Sequence, residues 1–162
     1  MEYPGSLLPV AKELDELFTM ERIHPVEAKV GTGSRTPLIK LLVDREDRFI
    51  TIHDCVVLSR QIEDILNRTD YFPRGYRLEV SSPGMSHHLK EPWEFRKYLD
   101  RKIMLHYTNQ GQIKEAEGYL VEIGAGNLIL KNDDTETSVS FADLDFGKAV
   151  IDWHRPRPND AK

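Results

Sequence analysis

Cys55 is the one thiol in the chain, and it directly follows His53 and Asp54. These are the residue types of a nucleophile, its base and an orienting acid. The apolar spacing around them predicts a helix, however, and residues one or two apart on a helix do not face each other. Cys55 falls on the apolar stripe, where a free thiol is a small buried hydrophobe. Ser81 and Ser82 stand outside any Gly-x-Ser-x-Gly elbow, and no Ser-His-Asp order suggests itself. His87, His88, His106 and His154 are the candidate metal ligands. Adjacent residues in an extended segment point apart, and no carboxylate or thiol falls at a recurring ligand spacing, so solvated hinge histidines are expected instead. Asp133-Asp134-Thr135-Glu136 lacks the central Gly and the later Glu of a calcium loop and reads as a hairpin turn. Gly31-Thr32-Gly33 opens no helix, which a nucleotide-binding glycine loop requires. The expectation is a protein that is not an enzyme and needs no cofactor and no metal.

The elements that carry these residues begin with a helical stripe of Leu7, Val10, Ala11, Leu14, Leu17 and Phe18, with Ser6 placed to cap it and Pro9 early enough to be tolerated. Val26, Ala28 and Val30 alternate as a strand. A flexible connection from Gly31 to Pro37 joins it, as a hairpin, to a second strand at residues 38–43. Thr51 followed by Asp54 resembles a capping box. Behind it Ile52, Cys55, Val56, Ser59, Ile62 and Leu66 mark the buried side of a second helix, ending near Asn67. Tyr76, Leu78 and Val80 then share one face of a third strand, and Arg77, Glu79 and Ser81 the other. Pro83 ends that strand for want of an N–H, and Gly84 supplies the positive φ of a type II turn. The order α-β-β-α-β predicts one small sheet with helices over a face.

Beyond the turn, Pro92 is placed to start a short helix holding Trp93, Phe95, Tyr98 and Leu99. Strand patterns follow at Ile103, Leu105 and Tyr107; Ala116, Gly118 and Leu120; Leu128 to Leu130; Thr137, Val139 and Phe141; and Ala149 to Ile151. Five short strands, with Gly118 relieving a strong bend, are what a small closed barrel needs. The fold class expected is therefore α+β: an N-terminal α-β-β-α-β domain over residues 1–84, a hinge at 85–92, a small β-barrel at 93–152, and a loose proline-rich tail at 153–162.

The run Tyr76-Arg77-Leu78-Glu79-Val80-Ser81-Ser82-Pro83-Gly84 resembles the signature of the RimP family of ribosome maturation factors. Two further stretches agree in order and spacing: Leu42-Val43-Asp44, and Ile52-His53-Asp54-Cys55-Val56-Val57-Leu58-Ser59-Arg60. The resemblance covers about Ser6 to Asp152 and implies that the second domain is an Sm-like or SH3-like barrel. After Pro-Gly the family reads hydrophobic, Asp, Arg, Pro, Leu. Here Met85, Ser86, His87, His88 and Leu89 stand in those places, so the acid and the arginine are absent.

A chain of 162 residues with net charge -5 does not coat nucleic acid by bulk electrostatics, since such domains are strongly basic. The charge is polarised along the second half. Residues 90–114 hold six basic side chains against three acids, whereas residues 115–145 hold eight acids and one lysine. No apolar run approaches a membrane span, and Met1-Glu2-Tyr3-Pro4 begins no secretory signal. One cysteine makes no internal disulfide, so a cytoplasmic, reducing home is expected.

The resemblance implies a monomeric, non-enzymatic factor of the bacterial cytoplasm. Its partner would be the small (30S) ribosomal subunit, including ribosomal RNA and the ribosomal proteins near the decoding region. On that reading Glu79, Ser81, Ser82, Pro83 and Gly84 form the interdomain element, and Arg96, Lys97, Arg101 and Lys102 are the candidates for contacting RNA. Two alternatives differ in class: a free-standing Sm-like adaptor for messenger or small RNA, and a cysteine-dependent hydrolase.

Overall fold

A computed structural model describes residues 2–31, 36–68, 70–133 and 135–151; the expected tail lies outside them. The chain divides into two compact units, Met1–Pro83 and Gly84–Lys162.

The first unit opens with a 3-10 turn over Gly5–Val10 that passes into helix α1, Ala11–Met20. Ser6 does not cap it. Ser6 is instead the second residue of that turn, whose cap position is Pro4, and the pyrrolidine ring of Pro9 leaves no N–H three residues on. The same ring excludes the carbonyl four residues back, so α-helical bonding starts only beyond it. Strand β1, Ile23–Gly31, pairs antiparallel with β2, Leu38–Arg45, which pairs parallel with β3, Arg77–Ser81. Parallel neighbours require a crossover. Helix α2, Ile52–Asn67, provides it between β2 and β3.

The core of this unit joins Leu7, Val10, Leu14 and Phe18 to Ile39, Leu41 and Val43 of β2 and to Leu58, Ile62 and Leu66 of α2. Tyr76, Leu78 and Val80 pack against it, as the alternation predicts. The buried side of α2 differs from expectation: Ile52 is 85% exposed and Val56 is 44% exposed, while Leu58 is buried. Three consecutive apolar residues, Val56-Val57-Leu58, leave the phase of the stripe open. Packing onto the sheet selects Leu58 with its i+4 successors. The capping box at Thr51 and Asp54 forms in both directions.

In the second unit, helix α3, Pro92–Phe95, starts on its proline and runs into a 3-10 turn over Arg96–Tyr98. Five antiparallel strands follow: β4 Lys102–Asn109, β5 Gln112–Ile123, β6 Asn127–Asn132, β7 Thr135–Ser140 and β8 Leu144–Ala149. Their order in the sheet is β7-β6-β5-β4-β8. Leu105, Leu120, Leu128, Leu130 and Val139 gather with Phe95 and Leu89 into one apolar core. The Cβ position of Gly118 lies 2.8 Å from the Lys131 carbonyl oxygen, so only glycine lets the two strands approach there.

Two expectations for this unit need correction. The last strand is Leu144–Ala149 rather than residues 149–151; Asp143, Asp145 and Gly147 masked its alternation. The barrel is not closed: among the described residues no ladder joins β7 to β8. The connection between them commits its backbone groups elsewhere, Phe141 donating to Gly126 and Asp143 accepting from Thr108.

Candidate nucleic-acid interface

The signature strand β3 holds Glu79 directly opposite Lys40 of β2, their charged groups 3.0 Å apart. Ser81 pairs in register with Leu42, and Ser82 is exposed beyond it. Gly84 has φ +76°, the left-handed conformation that the Pro-Gly turn predicts, with open space where a Cβ would stand.

Residues 85–92, expected as a hinge of solvated histidines, are tied into the second unit. Leu89 is 2% exposed and exchanges two backbone hydrogen bonds with Gly147, of 2.8 and 2.7 Å. Glu94 is 4% exposed. Its carboxylate accepts from the amides of Lys90 and Glu91 at 2.7 and 2.8 Å and lies 2.6 Å from Nε2 of His87. A carboxylate this buried needs such partners. His87 is thereby held on a buried acid rather than in solvent.

The four basic candidates sit on one continuous segment. Arg96 and Lys97 occupy the 3-10 turn after α3, and the Lys97 ammonium lies 5.9 Å from the ring centres of both Trp93 and Tyr98. Asp100 turns the chain with φ +59°. Its amide donates to Leu120, and the Arg101 carbonyl accepts from Leu120, which clamps the turn against β5. Lys102 opens β4 and is paired with Glu117 of β5 at 2.7 Å. The segment thus lies on a braced backbone, with Arg96 exposed and Lys97, Arg101 and Lys102 half-buried.

Sequence reasoning missed the most ordered aromatic feature of this unit. His106 of β4 stands opposite Phe146 of β8, their ring centres 4.2 Å apart and their planes 25° apart. The ring of His88 stacks on Phe146 at 3.8 Å and 8°. His106 Nδ1 also meets the Glu115 carboxylate at 3.0 Å. His88 and His106 therefore flank one phenyl ring, and His87 goes to Glu94, while His154 lies outside the described residues. Among the described residues no group of three or more His, Cys, Asp or Glu side chains is placed to hold a metal. The signal for the stack was register: a last strand at residues 144–149 brings Phe146 opposite His106, and one at 149–151 does not.

Cys55 is half-buried, and burial first, then the charge of Asp54, pushes its thiol up from its ordinary value. That disfavours the reactive thiolate. Asp54 serves the helix cap and Arg48 instead; its carboxylate meets the guanidinium at 2.7 Å through both oxygens. His53 is exposed. Asp54 is thus committed to the helix cap and Arg48 rather than to His53 or Cys55.

Residues 19–86 match the family model of the RimP N-terminal domain. The match runs from the end of α1 through the three-stranded sheet, the capping box and the Ser-Ser-Pro-Gly exit. Among the described residues, no helix is long and apolar enough to cross a membrane.

Proposed function

We propose, because residues 19–86 match the RimP N-terminal domain and the RimP family is one of ribosome maturation factors, that this chain binds free or precursor small (30S) subunits and assists their assembly in the bacterial cytoplasm. The observation that carries the reading is the matched domain at residues 19–86. The charge pattern supports it: a basic segment at residues 90–114 and an acidic one at 115–145 suit a partner made of both RNA and basic proteins. On this reading the protein acts by binding rather than catalysis, as a monomer, through two domains that follow one another in sequence at Pro83 and Gly84. The five-stranded sheet is then an open form of the Sm-like barrel. Glu79, Ser81, Ser82, Pro83 and Gly84 lead from one domain into the next, and Arg96, Lys97, Arg101 and Lys102 approach ribosomal RNA near the decoding region.

The test is co-sedimentation with purified ribosomal subunits across a salt series. Binding to free small subunits, and absence from translating ribosomes, is the expected result. Each neutralised phosphate contributes about -0.7 to -0.9 to the slope of log affinity against log salt, so four contacts give a slope no steeper than roughly -3 to -4. Reversing the charges of Arg101 and Lys102 weakens attachment and flattens that slope. Equal binding to naked single-stranded RNA and to subunits favours the adaptor for messenger or small RNA. Absence of subunit binding at every salt concentration overturns the reading.

A further inference from the structure

The three-ring stack leaves one aromatic surface open. Phe146 is covered on one side by His88 and on the other by His106, so it offers no face to a ligand. His88 is exposed and has only one of its two faces on Phe146. No second ring stacks on it among the described residues, and the residue as a whole is open to solvent.

The ring is also held in place. The next residue, Leu89, is buried and bonded in both directions to Gly147, one position along β8 from Phe146. At the far end of the stack, His106 is fixed by the β4 ladders and by Glu115. An exposed ring ordered in advance adds little to folding but lowers the entropy lost when something docks on it.

Cationic groups lie beside it along the chain. Lys148 is exposed and follows Phe146 by two residues on β8, which places it on the same face of the strand, about 7 Å further on. Lys90 is exposed two residues after His88. Acids on the neighbouring elements have partners of their own: Glu115 meets His106, Glu117 meets Lys102, the Glu91 side chain caps α3, and Asp145 alternates away from Phe146 and accepts from the Thr108 hydroxyl.

We propose that the outward face of His88, backed by Phe146 and His106, is a stacking platform for an unpaired RNA base, with Lys148 and Lys90 meeting the adjoining phosphates. A flat π-face flanked by ammonium groups is how single strands are held without regard to sequence, the ring taking the base and the cations the backbone. The proposal rests on the ribosomal reading above and deepens it by naming a surface that meets RNA, separate from the Arg96 to Lys102 segment.

The experiment is fluorescence anisotropy of a labelled single-stranded RNA oligonucleotide titrated with the full chain. A second oligonucleotide of equal length carries abasic positions, which keep the phosphates and remove the bases. His88→Ala weakens binding to the complete oligonucleotide about fivefold or more and leaves binding to the abasic one unchanged. His88→Phe, which restores a ring, returns affinity to within about twofold of the original. Circular dichroism confirms that both variants fold. Unchanged affinity of His88→Ala overturns the platform, as does an equal loss on the abasic strand or failure of the unmodified chain to bind the oligonucleotide. Subunit co-sedimentation separates the two levels. If subunits still bind while the oligonucleotide result is negative, the platform falls and the ribosomal reading stands; if neither binds, both fall. Loss of subunit binding in His88→Ala without any loss on the oligonucleotide means that the rings meet a ribosomal protein, which also overturns an RNA occupant.

Discussion

Gly147 has no room for a side chain, and replacing it with alanine tests how the second unit is packed. A Cβ built there stands 2.5 Å from Cε1 and 2.8 Å from Cζ of Phe95, and 3.2 Å from a methyl of Leu105. Ordinary contact begins near 3.5 Å, so the Phe95 ring must withdraw by about 1 Å. It has nowhere to withdraw to: Phe95 is fully buried, with Phe141 edge-on at 6.0 Å. The backbone of Gly147 cannot yield either, since it is bonded on both sides to Leu89. Overpacking of this kind costs about 1–3 kcal/mol, and in a unit of this length each 1 kcal/mol lowers the melting midpoint by about 4–8 °C. Both tryptophans, Trp93 and Trp153, fall after Pro83. Tryptophan fluorescence therefore reports the second unit while the first contributes none. Gly147→Ala lowers that midpoint, and Phe95→Leu, which removes the two clashing ring atoms, costs less in the Gly147→Ala background than alone. A wild-type midpoint for Gly147→Ala, or effects of the two substitutions that simply add, would refute the packing argument.

Thr51→Ala deletes one half of the α2 capping box and lowers the stability of the first unit by about 1 kcal/mol, read by far-UV circular dichroism during denaturant unfolding; no change means that the cap is dispensable. Asp54 is held well below the usual carboxylate range, first by Arg48 and then by Thr51. The unfolded chain therefore takes up a proton before the folded one, and this stability is present above about pH 4 and lost as pH falls below it. Acid titration should show wild type losing more stability than Asp54→Asn on that descent, and parallel curves would count against the assignment. Gly84→Val costs about 1–3 kcal/mol from φ alone, because no neighbour would be struck. Gly84→Asn costs less, since asparagine tolerates the left-handed region, and equal melting of the two variants would contradict the strain argument.

Local chemistry made much of the first unit legible. Thr51 and Asp54 announce a cap that needs only their own backbone. The alternation of Tyr76, Leu78 and Val80 needs only one covered face. The phase of α2 was not legible, because Val56-Val57-Leu58 fits two stripes and the choice between them belongs to Ile39, Leu41 and Val43 on a strand distant in sequence. Ser6 misled for a local reason instead: the opening 3-10 turn starts one residue earlier, at Gly5, so Ser6 lies inside it and Pro4 holds the cap position.

In the second unit the β4–β5 hairpin was readable from Asn109-Gln110-Gly111, where Gln110 and Gly111 both take positive φ. Strand β8 was not, since Gly147 leaves a gap in its buried face and Phe95, from another element, fills that gap. That one displaced strand concealed the candidate site as well. Shift the strand to residues 144–149 and Phe146 falls opposite His106, Gly147 meets Leu89, and His88 is drawn onto the phenyl ring. The pair His87-His88, read from composition as loose and solvated, then separates by alternation: one ring reaches the buried carboxylate of Glu94 and the next caps an aromatic stack. The residues between the Pro-Gly turn and α3 are thus where the second unit is pinned, through Leu89 on Gly147, His87 on Glu94 and His88 on Phe146.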